Sequence, residues 1–490
     1  MKLLKYIFIS MILPQMAYCQ SIEQRIDNSL APVVQFLSDI IFWKPFEQYG
    51  FHLPIVVLWL IFGALIFTFY FRFVHIRLFK HAIDITMGKY DKKEDKGEVS
   101  HFQALVTALS GTLGLGNISG VALAISLGGA GATFWMIVAG FLGMTAKFLE
   151  CTLGVKYRHI NGQGEVSGGP MYYLSKGLKG HGYPFLGKIL AVVFALFCVG
   201  GAIGGGNMFQ ANQAYAQVCI VYPMFENNGF AFGIILAILV GVVIIGGIKK
   251  IANVTDKLVP FMCGIYMVVG AIILALNFQN IGLAFQKIFL GAFSGNAILG
   301  GTAGSLVIGF QRAAFSNEAG IGSAAIAHSA VKTNEPLSEG IVSLLEPFID
   351  TIIVCTMTAL IIIFTGFDAP MEGVSGAQLT TLAFGSVFPW FKHILTISIL
   401  LFAYATLISW SYYGLKSWTY LFGDTKKMKM SYNLIYLCFV VIGSSASMTH
   451  VMDFSDMMIL GMAFPNIMGL YFLASEVKLD LKHYLDRVKL

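Results

Sequence analysis

Residues 110–121 read SGTLGLGNISGV, and the flanking runs FQALVTAL and ALAISLGG are apolar enough to be buried. Gly111, Gly114, Gly116 and Gly120 crowd this stretch, with Thr112 and Asn117 among them. Each glycine weakens a helix by about 1 kcal/mol relative to alanine. A buried helix opened at this point frees backbone groups. Amide N–H groups at the start of the outer half-helix favour a carboxylate. Freed carbonyls, joined by side-chain oxygens, suit Na⁺ or an ammonium group. The glycines Gly114 and Gly116 let a ligand approach the backbone around Leu115 closely.

A second stretch has the same character. GLGNISGVALAISL at 114–127 is matched by GIGSAAIAHSAVKT at 320–333, so that Gly114 corresponds to Gly320 and Gly116 to Gly322. Each copy follows a polar element, SGT at 110–112 and FSNEA at 315–319. Phe315, Ser316, Asn317 and Glu318 therefore stand at a second expected break. A carboxylate inside a membrane span costs at least ~3 kcal/mol, so Glu318 must be paired or functional. Arg312, six residues before it, is the natural partner, either as a structural ion pair or in ion coupling.

Other polar residues lie in apolar surroundings. Gln210 and Asn212 fall in GNMFQANQ, and Gln210 can offer a substrate two donors and an acceptor, or glue two helices together. Thr112 and Asn117 can reach a cation or substrate, or cap the half-helix. Glu346 and Asp350, four apart, share a helix face and form either a proton relay or the wall of a water-filled gap. Glu150 reads as structural and His328 as a packed, hydrogen-bonded histidine. The seven cysteines are scattered without paired spacing. GLGNISG is not a dinucleotide-binding turn, because that needs a soluble strand before it and an amphipathic helix after it. GGAIGGGN at 200–207 reads as a close helix–helix contact. No nucleophile–base pair appears in these motifs, which argues against an intramembrane enzyme.

The elements that position these residues are membrane helices. Hydrophobic residues make up 57% of the 490 and charged residues 12%, with a mean hydropathy of +0.74. A soluble domain carries roughly twice that charge fraction. The chain is an all-α polytopic membrane protein, its lipid partner is the bilayer, and its net charge of +6 is no sign of nucleic-acid binding. Eleven spans are expected near 53–71, 103–127, 132–154, 187–217, 230–247, 258–277, 300–331, 340–365, 391–415, 431–446 and 456–475. Lysine and arginine alternate between loops: seven in 72–102, five in 156–188, three in 249–257, four in 416–430 and four in 477–490. The intervening loops hold none in 218–229, Lys287 alone in 278–299, and none in 366–390. This puts the N-terminus outside and the C-terminus in the cytoplasm of a bacterial inner membrane. Residues 1–20 look like a secretory signal, cleaved or retained as an anchor. Residues 21–52 read as a periplasmic, interfacial amphipathic segment, 53–476 as the transporter domain and 477–490 as a cytoplasmic tail.

The two glycine-rich breaks are separated by five expected spans, and an odd number inverts the second copy. The first repeat covers about 103–277 and the second about 300–475. Two broken helices entering from opposite sides and meeting near the midplane are the mark of a secondary transporter. Backbone freed in hydrocarbon costs several kcal/mol per group unless it lines a polar cavity.

SGTLGLGNISGVALAISLGGAGATFWMIVAGFLGMTAKFLE, GPMYYL, GNMFQAN, QRAAFSNEAGIGSAAIAHSA, SWSYYG and MAFPN together resemble the alanine/glycine:cation symporters. The resemblance runs in order from about 53 to 475. It implies a five-plus-five inverted-repeat fold with two discontinuous helices and one extra span in front. It implies import of alanine or glycine with Na⁺, or with H⁺ as the alternative. GLGN also resembles the first broken helix of the neurotransmitter:sodium symporters. In the fold resembled, the helix carrying FAYATLISW completes a cation site against the first break. The Thr406 hydroxyl and the carbonyls of Ser110, Leu113 and Ala403 would form that Na⁺ shell, with Thr112 and Asn117 at a second site. Thr112, Gly114, Leu115, Gly116, Asn117, Gln210, Phe315, Ser316, Asn317 and Trp410 would contact the substrate, with Arg312 and Glu318 as the ion pair. Trp410 either walls a small pocket or is aromatic packing. The rivals to a Na⁺ symporter are a proton-coupled carrier of another small solute on the same fold and a channel.

Overall fold

The computed structural model describes residues 35–50, 52–92, 94–293, 304–369, 376–446 and 448–488. The signal-like segment 1–20 lies outside the described residues. Residues 35–43 belong to a unit separate from the rest, and 35–41 are helical. The second unit, Lys44–Leu490, is helical among its described residues apart from one short hairpin, His159–Ile160 with Val166–Ser167.

The helices that build the site are, in chain order, α1 (Ile55–Tyr70), α2 (His101–Thr112), α3 (Gly116–Gly128), α4 (Gly131–Lys156), α5 (Pro184–Val221), α6 (Gly229–Ile244), α7 (Gly247–Leu276), α8 (Ser305–Asn317), α9 (Ala324–His328), α10 (Pro336–Phe364), α11 (Ala377–Val387), α12 (Phe391–Phe422), α13 (Lys426–Ser445) and α14 (Val451–Val488). Among the described residues, α4, α5, α7, α10, α12 and α14 are long and apolar enough to cross a membrane. The pair α2 and α3, bent by 50°, adds one broken span, and α1 and α6 are shorter apolar helices.

The surface agrees with a lipid solvent. Phe230, Ile235 and Ile238 on α6 and Phe261 and Val268 on α7 are more than half exposed. In water such a band would aggregate; in a bilayer it is the matched face. The polar residues turn inward. α4 is the central helix, with α1, α8, α9 and α10 packed on it. Helix α12 packs on α2, α5 and α7.

At one end of the bundle the loops are tied to each other. Arg158, just past α4, donates to the carbonyls of Ser329 (2.8 Å), Val331 (2.6 Å), Lys96 (2.8 Å) and Thr333 (2.6 Å). Val99 and Val331 pair there as a parallel bridge. One guanidinium thus holds the chain entering α2 against the chain leaving α9.

Candidate functional site

The first break follows from local sequence. Helix α2 starts with a capping box, the Ser100 side chain accepting from Gln103 N–H and the Gln103 side chain accepting from Ser100 N–H. It runs apolar to Thr112, and Leu113 leaves the helix at φ −71°, ψ 72°. The chain resumes as a π-helical turn at Gly116–Gly120. Buried backbone groups released by such a break need partners. Gly114 N–H donates to Asn117 Oδ1 at 3.0 Å and Leu115 N–H to Gln210 Oε1 at 3.1 Å. The Ser110 carbonyl accepts from the Thr406 hydroxyl at 3.0 Å, and the Gly111 carbonyl from Trp410 Nε1 at 3.2 Å.

The partners come from different elements. Gln210 sits on α5 just past a π-helical turn at Gly204–Met208, and its Nε2 donates to the Gly205 carbonyl at 2.9 Å. Thr406 and Trp410 lie one turn apart on α12, and Ala403 is buried one turn before Thr406. Leu113, between Thr112 and Gly114 at the break, is fully buried, and the Ser110 hydroxyl meets Ser409. Thr406 stands so close to Gly114 that a β-carbon there would clash with its hydroxyl. Trp410 packs in the same way on Gly206, within the GGAIGGGN motif.

In the second break α8 ends at Asn317, and Glu318 takes a left-handed conformation at φ 57°. Gly320 (φ 83°) and Gly322 (φ 93°) also lie in the region that glycine adopts without strain. Helix α9 resumes at Ala324. Asn317 Oδ1 accepts from Ala319 N–H at 2.9 Å, and its Nδ2 donates to Thr351 Oγ1 at 2.8 Å. Asn466 on α14 donates to the freed Gly320 carbonyl at 2.9 Å and to Glu150 at 2.7 Å. The Phe315 ring meets Phe209 edge-on at 5.3 Å.

The two breaks touch. A β-carbon on Gly116 would stand 3.3 Å from Ser316 Cα. One carboxylate joins them: Asp350 Oδ1 accepts from Asn117 Nδ2 at 2.6 Å, and Oδ2 accepts from the hydroxyls of Ser316 (2.9 Å) and Thr351 (2.7 Å). Asp350 and Asn117 are fully buried and Ser316 nearly so. The donors on this carboxylate are neutral among the described residues. A buried carboxylate held only by neutral donors is a ready ligand for a cation or a proton.

The structure therefore brings Ser110, Gly114, Leu115, Gly116, Asn117, Gln210, Ser316, Thr406 and Trp410 to one place. Other expected residues are placed differently. Thr112 turns its hydroxyl back on the carbonyls of Ala108 and Leu109, at 3.4 and 3.3 Å, within its own helix. The Arg312–Glu318 pair is not formed. Arg312 pairs with Asp456 on α14, and Glu318 accepts from the Ser323 hydroxyl. Six residues along a helix leave two side chains about 120° apart in direction, and the left-handed Glu318 turns further away. Asp350 as the bridge between the breaks, and Thr351 and Asn466 as their supports, are additional to the residues expected at the site. The only sequence signals for them were an acid within a span and the MAFPN motif.

Helix α11 packs over the first break. Thr380 on α11 donates to the Ile118 carbonyl at 3.2 Å, and Ala377 N–H to Gln213 at 3.3 Å. On the other side the Ser110–Ser409 and Gly111–Trp410 contacts close α2 onto α12.

Comparison with known proteins agrees with this architecture. The sodium:alanine symporter family matches residues 39–490. A sodium/alanine symporter of Methanococcus maripaludis is 41% identical over 434 residues, covering 88% of this chain and 94% of its own. An amino-acid carrier protein of Bacillus subtilis is 32% identical over 429 residues, covering 87% and 88%. Among solved structures, MhsT in complex with L-phenylalanine superposes with a TM-score of 0.54 at 15% identity, over 77% of this chain and 89% of its own, a likeness of fold. From the extent and identity of these matches, the chain is a transporter, not an enzyme, and belongs to the sodium:alanine symporter family.

Proposed function

We propose that the protein is a secondary active symporter that imports small neutral amino acids, alanine and/or glycine, together with Na⁺ by alternating access. The contact of the two helix breaks, with Thr406 on the Ser110 carbonyl and Asp350 across Asn117 and Ser316, is the observation that carries this reading. The substrate carboxylate would rest on the amides around Leu115–Asn117, exchanging the protein acceptors Gln210 and Asn117 for its own oxygens. Its ammonium group and the ions would face the carbonyls and Asp350. The closeness of Gly116 to Ser316 favours a small side chain. The Methanococcus relative named for sodium and alanine supports the same pair of solutes.

An uptake panel in proteoliposomes tests this, with Na⁺ and pH gradients imposed separately. Accumulation of labelled alanine or glycine under an inward Na⁺ gradient is the expected result. Accumulation under a pH gradient with Na⁺ absent would replace it with proton coupling. Substrate counterflow in sealed vesicles separates a carrier from a channel, because a channel has no exchange step.

The reading includes eleven spans in a five-plus-five inverted repeat, with α1 as the extra span. It also places the N-terminus outside and the C-terminus in the cytoplasm. Lys92 is exposed in the basic 72–102 loop. A cysteine at Lys92 should resist an impermeant maleimide in intact cells and react after permeabilisation. Efficient labelling in intact cells would reverse the orientation of both broken helices.

A further inference from the structure

Five titratable side chains form one buried hydrogen-bonded chain outside the breaks. Lys147 on α4 donates to Glu346 Oε1 at 3.2 Å. Glu346 Oε2 lies 3.3 Å from His328 Nε2. His328 Nδ1 lies 2.5 Å from Glu339 Oε1, and the other Glu339 oxygen meets His101 Nδ1. All but His101 are fully buried, and His101, in the first turn of α2, is 4% exposed.

Proton counting decides the state of this chain. A neutral imidazole has one N–H and one acceptor nitrogen, whereas an ionised carboxylate only accepts. His328 has a glutamate oxygen on each nitrogen, so one proton more than a neutral ring and two carboxylates can supply is needed. That proton sits on the ring or on one of the two glutamates. Imidazole is the stronger base, with a reference pKa near 6.5 against about 4.3 for glutamate. Placed on the ring, with His101 a neutral donor to Glu339, it gives two buried cations, Lys147 and His328, against two anions, Glu339 and Glu346. Without it the buried set carries an uncompensated negative charge, which is strongly unfavourable.

The acidic and basic groups around this set have hydrogen-bond partners of their own. Glu150 on α4 is bonded to Asn466, and Glu318 at the end of α8 to Ser323. Arg158 is committed to four carbonyls. From α12, Lys416 donates to the Val166 carbonyl at 2.6 Å, and Tyr413 is a neutral phenol beside Gly111.

We infer that His328 is a buried proton-binding site, and that its proton clamps the half-helices α2 and α9 onto α4 and α10. Loss of that proton leaves an acceptor facing an acceptor between α9 and α10. The clamp then loosens on the side where Arg158 ties the loops.

Nitrogen-15 NMR of the purified full chain, labelled in histidine, tests this without any transport assay. It therefore fails separately from the uptake panel. His328→Gln, or His101→Gln by elimination, assigns the signal. At about pH 7.5, a full unit above the reference value for histidine, His328 is expected to carry protons on both nitrogens. Glu339→Gln or Glu346→Gln should remove the second ring proton at the same pH. A singly protonated His328 in the wild type would overturn the inference, and so would an unchanged doubly protonated ring in both glutamine variants. If neither variant folds, the wild-type spectrum alone decides.

Discussion

Asp350→Asn is expected to lower Na⁺-driven uptake by about a hundredfold or more, equivalent to about 2.8 kcal/mol, with the protein still inserted and folded. The carboxylate takes three donors, one from the first break, one from the second and one from its own neighbour Thr351. Hydrogen bonds to a charged group contribute about 1.5–3 kcal/mol each. Asparagine keeps the volume and one acceptor. Its carboxamide oxygen can serve Asn117, and its NH₂ group can then face hydroxyls that rotate to accept. The fold therefore survives this change. The anion does not, and a cation between the breaks would lose its only charged ligand from these residues. Uptake and the Na⁺ dependence of substrate binding are both measured. Wild-type values of both would show that Asp350 is only a polar strut between the breaks.

The breaks themselves were legible because glycine has a fixed cost in a helix. A buried run that accepts four such costs around Thr112 and Asn117 marks a helix that must open. The same reasoning found the stretch from Ser316 to Gly322. Gln210 and Thr406 were legible through motif resemblance, and both lie on freed backbone groups of the first break. What failed was pairing by nearness in sequence. Arg312 and Glu318 looked like partners because six residues separate them, yet partners for buried charge are chosen by the packing of whole helices. Arg312 found Asp456 on α14, 144 positions away. His328 is a packed, hydrogen-bonded histidine, but its partners Glu339 and Glu346 both come from α10, and Glu339 links on to His101 on α2. No local periodicity encodes that meeting. Asp350 was visible as a buried acid sharing a face with Glu346. Its bridge to Asn117 spans 233 positions, and only the crossing of the two broken helices creates it.

The coupling ion is decided most directly at Thr406. Thr406→Val is expected to raise the Na⁺ concentration for half-maximal uptake by about tenfold or more, since 1.4 kcal/mol already gives tenfold. Valine is nearly isosteric, so packing against Gly114 is preserved while the hydroxyl is lost. That hydroxyl now donates to the Ser110 carbonyl at 3.0 Å. A hydroxyl oxygen keeps lone pairs free while donating, so it can turn toward a cation that takes over the carbonyl. The carbonyls of Ser110 and Leu113 from the break and of Ala403 from α12 would complete the shell. Na⁺ is a hard cation that suits such oxygens, and none of the four ligands carries a charge. A neutral shell of this kind holds no titratable group, so the variant should shift Na⁺ dependence without shifting pH dependence. Asp350→Asn removes a titratable carboxylate at the other side of the break, and the two variants together separate a Na⁺ site from a proton site. Unchanged Na⁺ dependence in Thr406→Val, or full uptake driven by a pH gradient in Na⁺-free buffer, would remove the cation from this position.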